Sequence, residues 1–367
     1  MAGADTQAGV RTRGGAELLD AADVDRHEWD ELADRAGVSP FSRPGWIDPF
    51  WRAFARGTPA AMVVRRAGRL AGILPLEARR GVLVSAANWQ TPLFSPVVED
   101  ADVAAELAAG LLRHSGRRVD LWFLDRGAPG LAQARAAADA AGWRVIERTM
   151  TRAPFVPIEG SFDEFMAGLE RKFRKDIGRR WRRLEDQGAV EIAYEDGRED
   201  LDALLDEGFR LEGSGWKTAA GTAIASDPER EHFYREVCRW AAERGLLRLA
   251  FLRLDGRSIA FDLCLEAEGV SYVVKGGFDV EARRLGPGVL LTHHELQRAF
   301  ESGFESYELL GQADDYKLSW TKSVHERVRI QLFPGSPLGR LEHLSWRRGR
   351  PAVKRLQGAL ARSRDRG

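Results

Sequence analysis

Residues 270–288 read Val-Ser-Tyr-Val-Val-Lys-Gly-Gly-Phe-Asp-Val-Glu-Ala-Arg-Arg-Leu-Gly-Pro-Gly. The β-branched and aromatic residues of Val270–Phe278 predict a strand. A glycine-rich loop follows, then a helix from about Gly288 to Ser302 and a strand over Ser306–Leu310. Glycines at 286 and 288 remove side chains that would block a ligand's close approach. Pro287 sets a helical φ at the helix start and lacks an N–H that would have no partner there. The helix N-terminus offers backbone N–H groups and the positive end of its dipole, a ready anion site. Arg283 and Arg284 add charge beside it. A pyrophosphate suits this turn.

Arg283-x-x-Gly286-x-Gly288, after a strand and before a helix, resembles the acyl-CoA pyrophosphate loop of GNAT acetyltransferases. Four other segments are similar to the CelD-type (cellulose-biosynthesis-associated) acetyltransferase family: Phe278-Asp279, Gly311-Gln312-Ala313-Asp314-Asp315-Tyr316-Lys317, Lys172-Phe173-Arg174-Lys175-Asp176-Ile177 and Gly215-Trp216-Lys217. The resemblance covers residues 160–335 well and the first half loosely. This family is in turn similar to the Fem-type transferases, which carry two GNAT-like domains in one chain.

The resemblance implies a mechanism. The strand before the loop would splay from its neighbour and bind the cofactor's pantetheine arm through Val274, Lys275, Gly276, Gly277 and Phe278. A backbone N–H there would polarise the thioester carbonyl. The pyrophosphate would lie on Arg283, Arg284, Leu285, Gly286, Pro287, Gly288 and Val289. Tyr316 takes the place of the general acid that protonates the leaving thiolate. The strand carries no Glu, so the base is open among Glu212, Asp262, Asp314 and Asp315. Asp262 sits in Ile259-Ala260-Phe261-Asp262-Leu263, where alternation predicts an exposed side chain. Arg174, Lys175, Trp216, Lys217 and Lys317 are the candidates for substrate contact.

Outward from this segment the patterns alternate between helix and strand. In the first half, helices are expected at His27–Ala36, Gly45–Ala55, Val103–Arg113 and Gly130–Ala141. Strands are expected at Ala61–Arg66, Leu70–Leu76, Val119–Leu124 and Trp143–Thr149, with Pro154–Ile158 opening the next section. In the second half, Phe162–Gln187 predicts one or two helices, with helices again at Leu201–Glu212 and Pro228–Arg244. Strands are expected at Ala189–Tyr194, Leu247–Leu254, Ser258–Glu266 and Glu326–Phe333. The turns Ala67-Gly68-Arg69 and Asp255-Gly256-Arg257 predict hairpins. The expected fold is α/β (α+β): two GNAT-like domains in tandem, each a mixed, mostly antiparallel sheet flanked by helices. Residues 16–158 would form the first and 159–340 the second, which holds the acyl-CoA site. A disordered leader (1–15) and a basic tail (341–367) would flank them.

The chain has 367 residues, 44% hydrophobic and 30% charged, with 55 basic and 55 acidic side chains. That composition fits a folded protein and gives no global charge argument for nucleic acid. Charge is concentrated instead in residues 171–183, where Asp176 alone opposes eight Lys and Arg. Phe173, Ile177, Trp181 and Leu184 form one apolar face of that helix, leaving the other strongly cationic. It could meet a polyanion such as tRNA, an anionic lipid or a glycan, or line the acceptor cleft. Two cysteines, Cys238 and Cys264, are too few for a disulfide framework. No signal peptide pattern and no apolar run of roughly 20 residues is present, so a cytoplasmic location is expected. No metal motif, P-loop or nucleophile elbow is found.

The first functional reading is transfer of an acyl group, acetyl foremost, from acetyl-CoA or another acyl-CoA to a small-molecule amine. The acceptor would be an amino sugar, an amino acid-like metabolite or a cell-envelope or exopolysaccharide precursor. The second is a Fem-like transfer from aminoacyl-tRNA, the one case in which nucleic acid is a partner. The third is a GNAT fold that binds without catalysis. Peripheral membrane contact by the basic helix stays open.

Overall fold

A computed structural model describes residues 15–214 and 223–349. Trp216 and Lys217, the leader before Gly15 and the tail beyond Gly349 lie outside the described residues. The first half runs β1 (Glu17–Asp20), α1 (Arg26–Ala36), α2 (Pro44–Phe54), β2 (Thr58–Arg66), β3 (Arg69–Arg79), β4 (Val82–Ser85), β5 (Val97–Val98), α3 (Ala101–His114), β6 (Arg118–Asp125), α4 (Leu131–Ala140) and β7 (Arg144–Pro157). The second runs α5 (Phe162–Gly168), α6 (Arg171–Glu185), β8 (Val190–Glu195), α7 (Leu201–Glu212), α8 (Pro228–Glu243), β9 (Leu247–Leu254), β10 (Arg257–Ala267), β11 (Val270–Phe278), α9 (Pro287–Glu301), β12 (Ser306–Glu308), α10 (Asp315–Leu318), β13 (Val324–Phe333) and α11 (Pro337–Leu344).

All strands join one mixed sheet in the order β1-β2-β3-β4-β6-β13-β7-β12-β11-β10-β9-β8, with β5 beside β3. Most neighbours are antiparallel; β4–β6 and β11–β12 are parallel. The long strand β7 joins the two halves, with β13 on one edge and β12 on the other. Here the structure departs from the sequence reading, which separated Trp143–Thr149 from Pro154–Ile158. Pairing with β13 carries Met150–Ala153 through as strand, because a cross-strand partner outweighs weak local propensity.

Both hairpin turns form as expected. Ala67 and Gly68 have φ of 49° and 80°, and Asp255 and Gly256 have 49° and 77°. Two successive positive φ values match the right-handed strand twist, so the chain reverses in two residues.

Helices cover both faces. On one face, α1, α2, α7 and α8 share a single core across both halves: the Trp46 ring meets Phe233 at 5.2 Å, and Phe41 meets Tyr272 at 5.3 Å. On the other face α3 and α4 cover the first half, and α5, α6 and α9 the second. Double coverage overturns the expectation for Asp262. Its side of β10 faces α9 rather than water, and it is 8% exposed. Both cysteines are buried free thiols. No helix among the described residues is long and apolar enough to cross a membrane.

Candidate active site

The site starts from a strand that leaves its neighbour. β11 pairs with β10 from Val270 to Phe278, but with β12 only at Val270, Ser271 and Tyr272. Past Glu308 the chain leaves β11 and continues along β7, where the Leu309 N–H donates to the Pro154 carbonyl at 3.0 Å. The two parallel strands therefore part beyond Tyr272. On the other edge, Leu263 opposes Lys275 and Cys264 opposes Val273, so Val274 is the extra residue of a β-bulge. A bulge re-aims the backbone and is common beside active sites. The expected pantetheine-contact residues Val274–Phe278 are thus the parted and bulged end of the strand.

Two glycines here answer to the protein's own packing. A Cβ on Gly276 would overlap the Asp262 carboxylate, which lies across the strand pair. A Cβ on Gly277 would strike the backbone of Glu212 and the Leu211 carbonyl at the end of α7. Phe278-Asp279 has a structural task as well. Asp279 caps the 3₁₀ turn Val280–Leu285, accepting from the Glu281 N–H, and receives the Arg257 guanidinium at 2.5 Å. The loop read from sequence is thus a short helix.

That turn leads into the expected anion site. Gly286 has φ of 70°, which favours glycine, and a Cβ there would collide with the Arg180 guanidinium of α6. Arg183, from the same helix, donates to the Arg284 carbonyl at 3.2 Å. Asp176 holds Arg180 in place at 2.6 Å. Arg283 and Arg284 are exposed. Pro287 opens α9, so the Gly288 amide lies in the turn that has no intrahelical acceptor. Gly288 differs from the other three glycines. Its φ is not positive, and an added Cβ would meet only Phe278 Cδ1 at 3.5 Å, an ordinary contact. Among the described residues, nothing around Gly288 requires glycine.

Tyr316 and Asp262 are brought into electrostatic reach of one another. Tyr316 stands on the short helix α10 and is 58% exposed. Burial around its hydroxyl, with the charges of Asp314 and Asp262, raises its pKa above the usual tyrosine value. Asp315 is exposed on the first turn of α10. Glu212 is buried on the opposite sheet face, where its carboxylate accepts from the Ile224 N–H at 2.8 Å. Lys317 is buried, its Nζ donating to the Leu310 carbonyl at 2.8 Å. That bond secures the bend where Leu310 and Gly311 both have positive φ. Lys275 Nζ lies 5.2 Å from the centre of the Tyr234 ring, on the α8 side.

The basic helix lines an open cleft of about 930 Å³. Lys172, Lys175, Arg179 and Arg182 edge it from α6, and Ser319, just past α10, closes one side. The Phe173 ring packs on Trp320 at 4.8 Å and fixes α6 against that segment. Lys175 faces this cleft; Arg174 is half-buried and lies outside its lining.

Sequence reasoning missed Arg180 and Glu295. Arg180 was one of eight cations in a run, with no local signal to single it out. Glu295 sits inside α9, fully buried, and accepts from the Tyr307 hydroxyl at 2.6 Å and from the Cys264 thiol at 3.6 Å. An acidic residue between apolar Leu291 and Ala299, each one helical turn away, was the available clue.

Residues 171–318 match the family model described as an Acetyltransferase (GNAT) domain. This part of the chain is similar to GNAT-type domains. The matched span runs from the basic helix to α10 and contains the parted strands, the bulge and the anion turn. No curated protein sequence matches. Among solved structures, FemX is similar at TM-score 0.58 and 13% identity, over 86% of this chain and 96% of that one. The C-terminal domain of an Agrobacterium fabrum protein named for lysylphosphatidylglycerol synthesis is similar at TM-score 0.55 and 14% identity, over 83% and 90%. At these identities the likeness is one of fold.

Proposed function

We propose that the chain is an acyl-CoA-dependent N-acyltransferase that moves an acetyl group from acetyl-CoA to an amine. The observation that carries this reading is Gly288, a glycine the surrounding structure does not demand, on the open first turn of α9. A ligand that must touch backbone there explains it, and a diphosphate has the charge and size to use the amide, the dipole and Arg180 together. The pantetheine arm would then follow the parted edge of β11, with its thioester near the Val274 bulge. Asp262 would take the amine's proton and Tyr316 would protonate the departing thiolate.

The acceptor would enter beside the cationic cleft, which favours an amine that also carries negative charge. Amino acid-like metabolites and anionic envelope or polysaccharide precursors meet that description, an amino sugar does so when it also bears a phosphate or carboxylate, and the CelD-type resemblance favours the envelope or polysaccharide precursors. The reading is tested by following thiol release from acetyl-CoA against a panel of such amines. Turnover should fall about 10²-fold or more in Tyr316→Phe, with KM for acetyl-CoA little changed. Unchanged turnover removes Tyr316 from the chemistry.

A Fem-like transfer from charged tRNA is the second reading. It is favoured by the fold shared with FemX over most of the chain and by the cationic edge of α6. It predicts binding to charged tRNA that weakens steeply with salt.

A further inference from the structure

Helix α11 buries its polar side and shows its leucines. A helix on a protein surface ordinarily turns its apolar stripe to the core. Here Gly339, Glu342 and His343 face the sheet, while Leu338, Leu341 and Leu344 stand outward, 70%, 66% and 44% exposed. Spaced three residues apart, the leucines lie along one side of the helix.

Contacts on the inner side hold that orientation. Glu342 pairs with Arg117 at 2.9 Å and with Arg118 of β6. The Arg118 guanidinium also lies 4.7 Å from the centre of the Trp346 ring, just past the helix. Arg148 of β7 donates to the Trp346 carbonyl at 2.8 Å. His343 packs edge-on against Phe333 at 5.5 Å. Ser336 caps the helix, accepting from the Gly339 N–H at 3.2 Å. Rotating α11 to bury its leucines would break these contacts, so the outward stripe is built into the fold.

The rim of the stripe is cationic. Arg340 and Arg347 are exposed, as is Arg144, which opens β7 opposite Phe333. Glu342 is the one acid in the sequence from Pro337 to Gly349, and Arg117 and Arg118 neutralise it. Residues 350–367, outside the described residues, continue with six Lys and Arg against Asp365 alone.

We propose that α11 and the basic segment after it dock the protein on an anionic lipid surface. Leu338, Leu341 and Leu344 enter the boundary between headgroups and acyl chains, and Arg144, Arg340, Arg347 and the cations of 350–367 meet lipid phosphates. Charge selects this occupant. A second copy laid stripe to stripe would press two cationic rims together, and residues 350–367 folded back on the stripe would add charge of the same sign. A lipid surface offers an apolar layer and phosphate anions at once. This docking does not depend on the acyltransferase reading.

Vesicle flotation of the full chain tests it, using phosphatidylcholine vesicles with about one phosphatidylglycerol in three. The unmodified protein should float with them, bind pure phosphatidylcholine at least about tenfold more weakly, and lose binding as salt rises. Leu338→Ser combined with Leu341→Ser should weaken binding about tenfold or more. Both side chains are exposed, so the double variant should keep the circular dichroism and urea midpoint of the unmodified protein. If it does not fold, Leu338→Ser alone, at the most exposed of the three, takes its place. An unmodified protein that ignores the anionic vesicles overturns the proposal, as does a folded leucine variant that binds them equally well. A dimer that the leucine variant splits, with no vesicle binding, would assign the stripe to a second copy and overturn it too. Vesicle binding gained only on deletion of 350–367 would show that this segment covers the stripe, with the same consequence.

Discussion

The Arg180 guanidinium lies over the α-carbon of Gly286, so close that a methyl group there would displace it. The contact brings the basic helix to the anion turn, and Asp176 fixes the arginine from one helical turn away. On the acyltransferase reading, Arg180 clamps the diphosphate rather than blocking it. Arg180→Ala should weaken acetyl-CoA binding about tenfold or more, as expected for loss of a charge-assisted hydrogen bond. Calorimetric titration checks it; tighter binding in the variant would show that Arg180 blocks the turn.

Gly276 and Gly277 should separate stability from function. At Gly277 an alanine meets backbone of Glu212 and Leu211, which cannot step aside. Gly277→Ala should destabilise the fold by about 1–3 kcal/mol. At Gly276 the obstacle is only the Asp262 side chain. Gly276→Ala should unfold at nearly the original denaturant midpoint yet lose activity, because the carboxylate is moved. Equal midpoints for the two variants would contradict this division.

His293 gives the fold an acid sensitivity. Its Nδ1 accepts from the Trp181 indole at 3.3 Å, so the neutral ring is the bonded form, and burial lowers its pKa from 6.5 to about 4. The unfolded chain therefore binds the proton first. The stabilisation from the neutral ring is complete above pH 6.5 and is lost as pH falls from 6.5 through 4. The loss should be on the order of 2 kcal/mol, below the full shift because the ring keeps some contact with water. Urea midpoints measured across that range should fall in the unmodified protein and flatten in His293→Phe. Parallel curves for the two would remove His293 as the cause.

Much of this was legible in the sequence because it is local. The hairpins at Ala67-Gly68 and Asp255-Gly256, the strand Val270–Phe278 and the Arg-x-x-Gly-x-Gly turn are encoded by neighbours in the chain. What stayed hidden depends on partners far along it. Met150–Ala153 became strand only through β13, and Asp262 became buried only because α9 covers its face. The roles of the glycines divided the same way. Sequence treated Gly276, Gly277, Gly286 and Gly288 alike, whereas the fold explains the first three by contact or φ and, among the described residues, gives no such reason for Gly288.

Gly288 is therefore where the account is most exposed. Because its backbone is helical and a Cβ meets no obstacle, Gly288→Ala should stabilise the fold by about 0.5–1 kcal/mol. Gly288→Trp should keep the fold, checked by circular dichroism, while filling the space over the amide. The deciding measurement is calorimetric titration of acetyl-CoA into the unmodified protein and Gly288→Trp. The account predicts saturable binding to the first and none to the second. Binding that survives in Gly288→Trp, or an unmodified protein that ignores acetyl-CoA and takes charged tRNA instead, would contradict it.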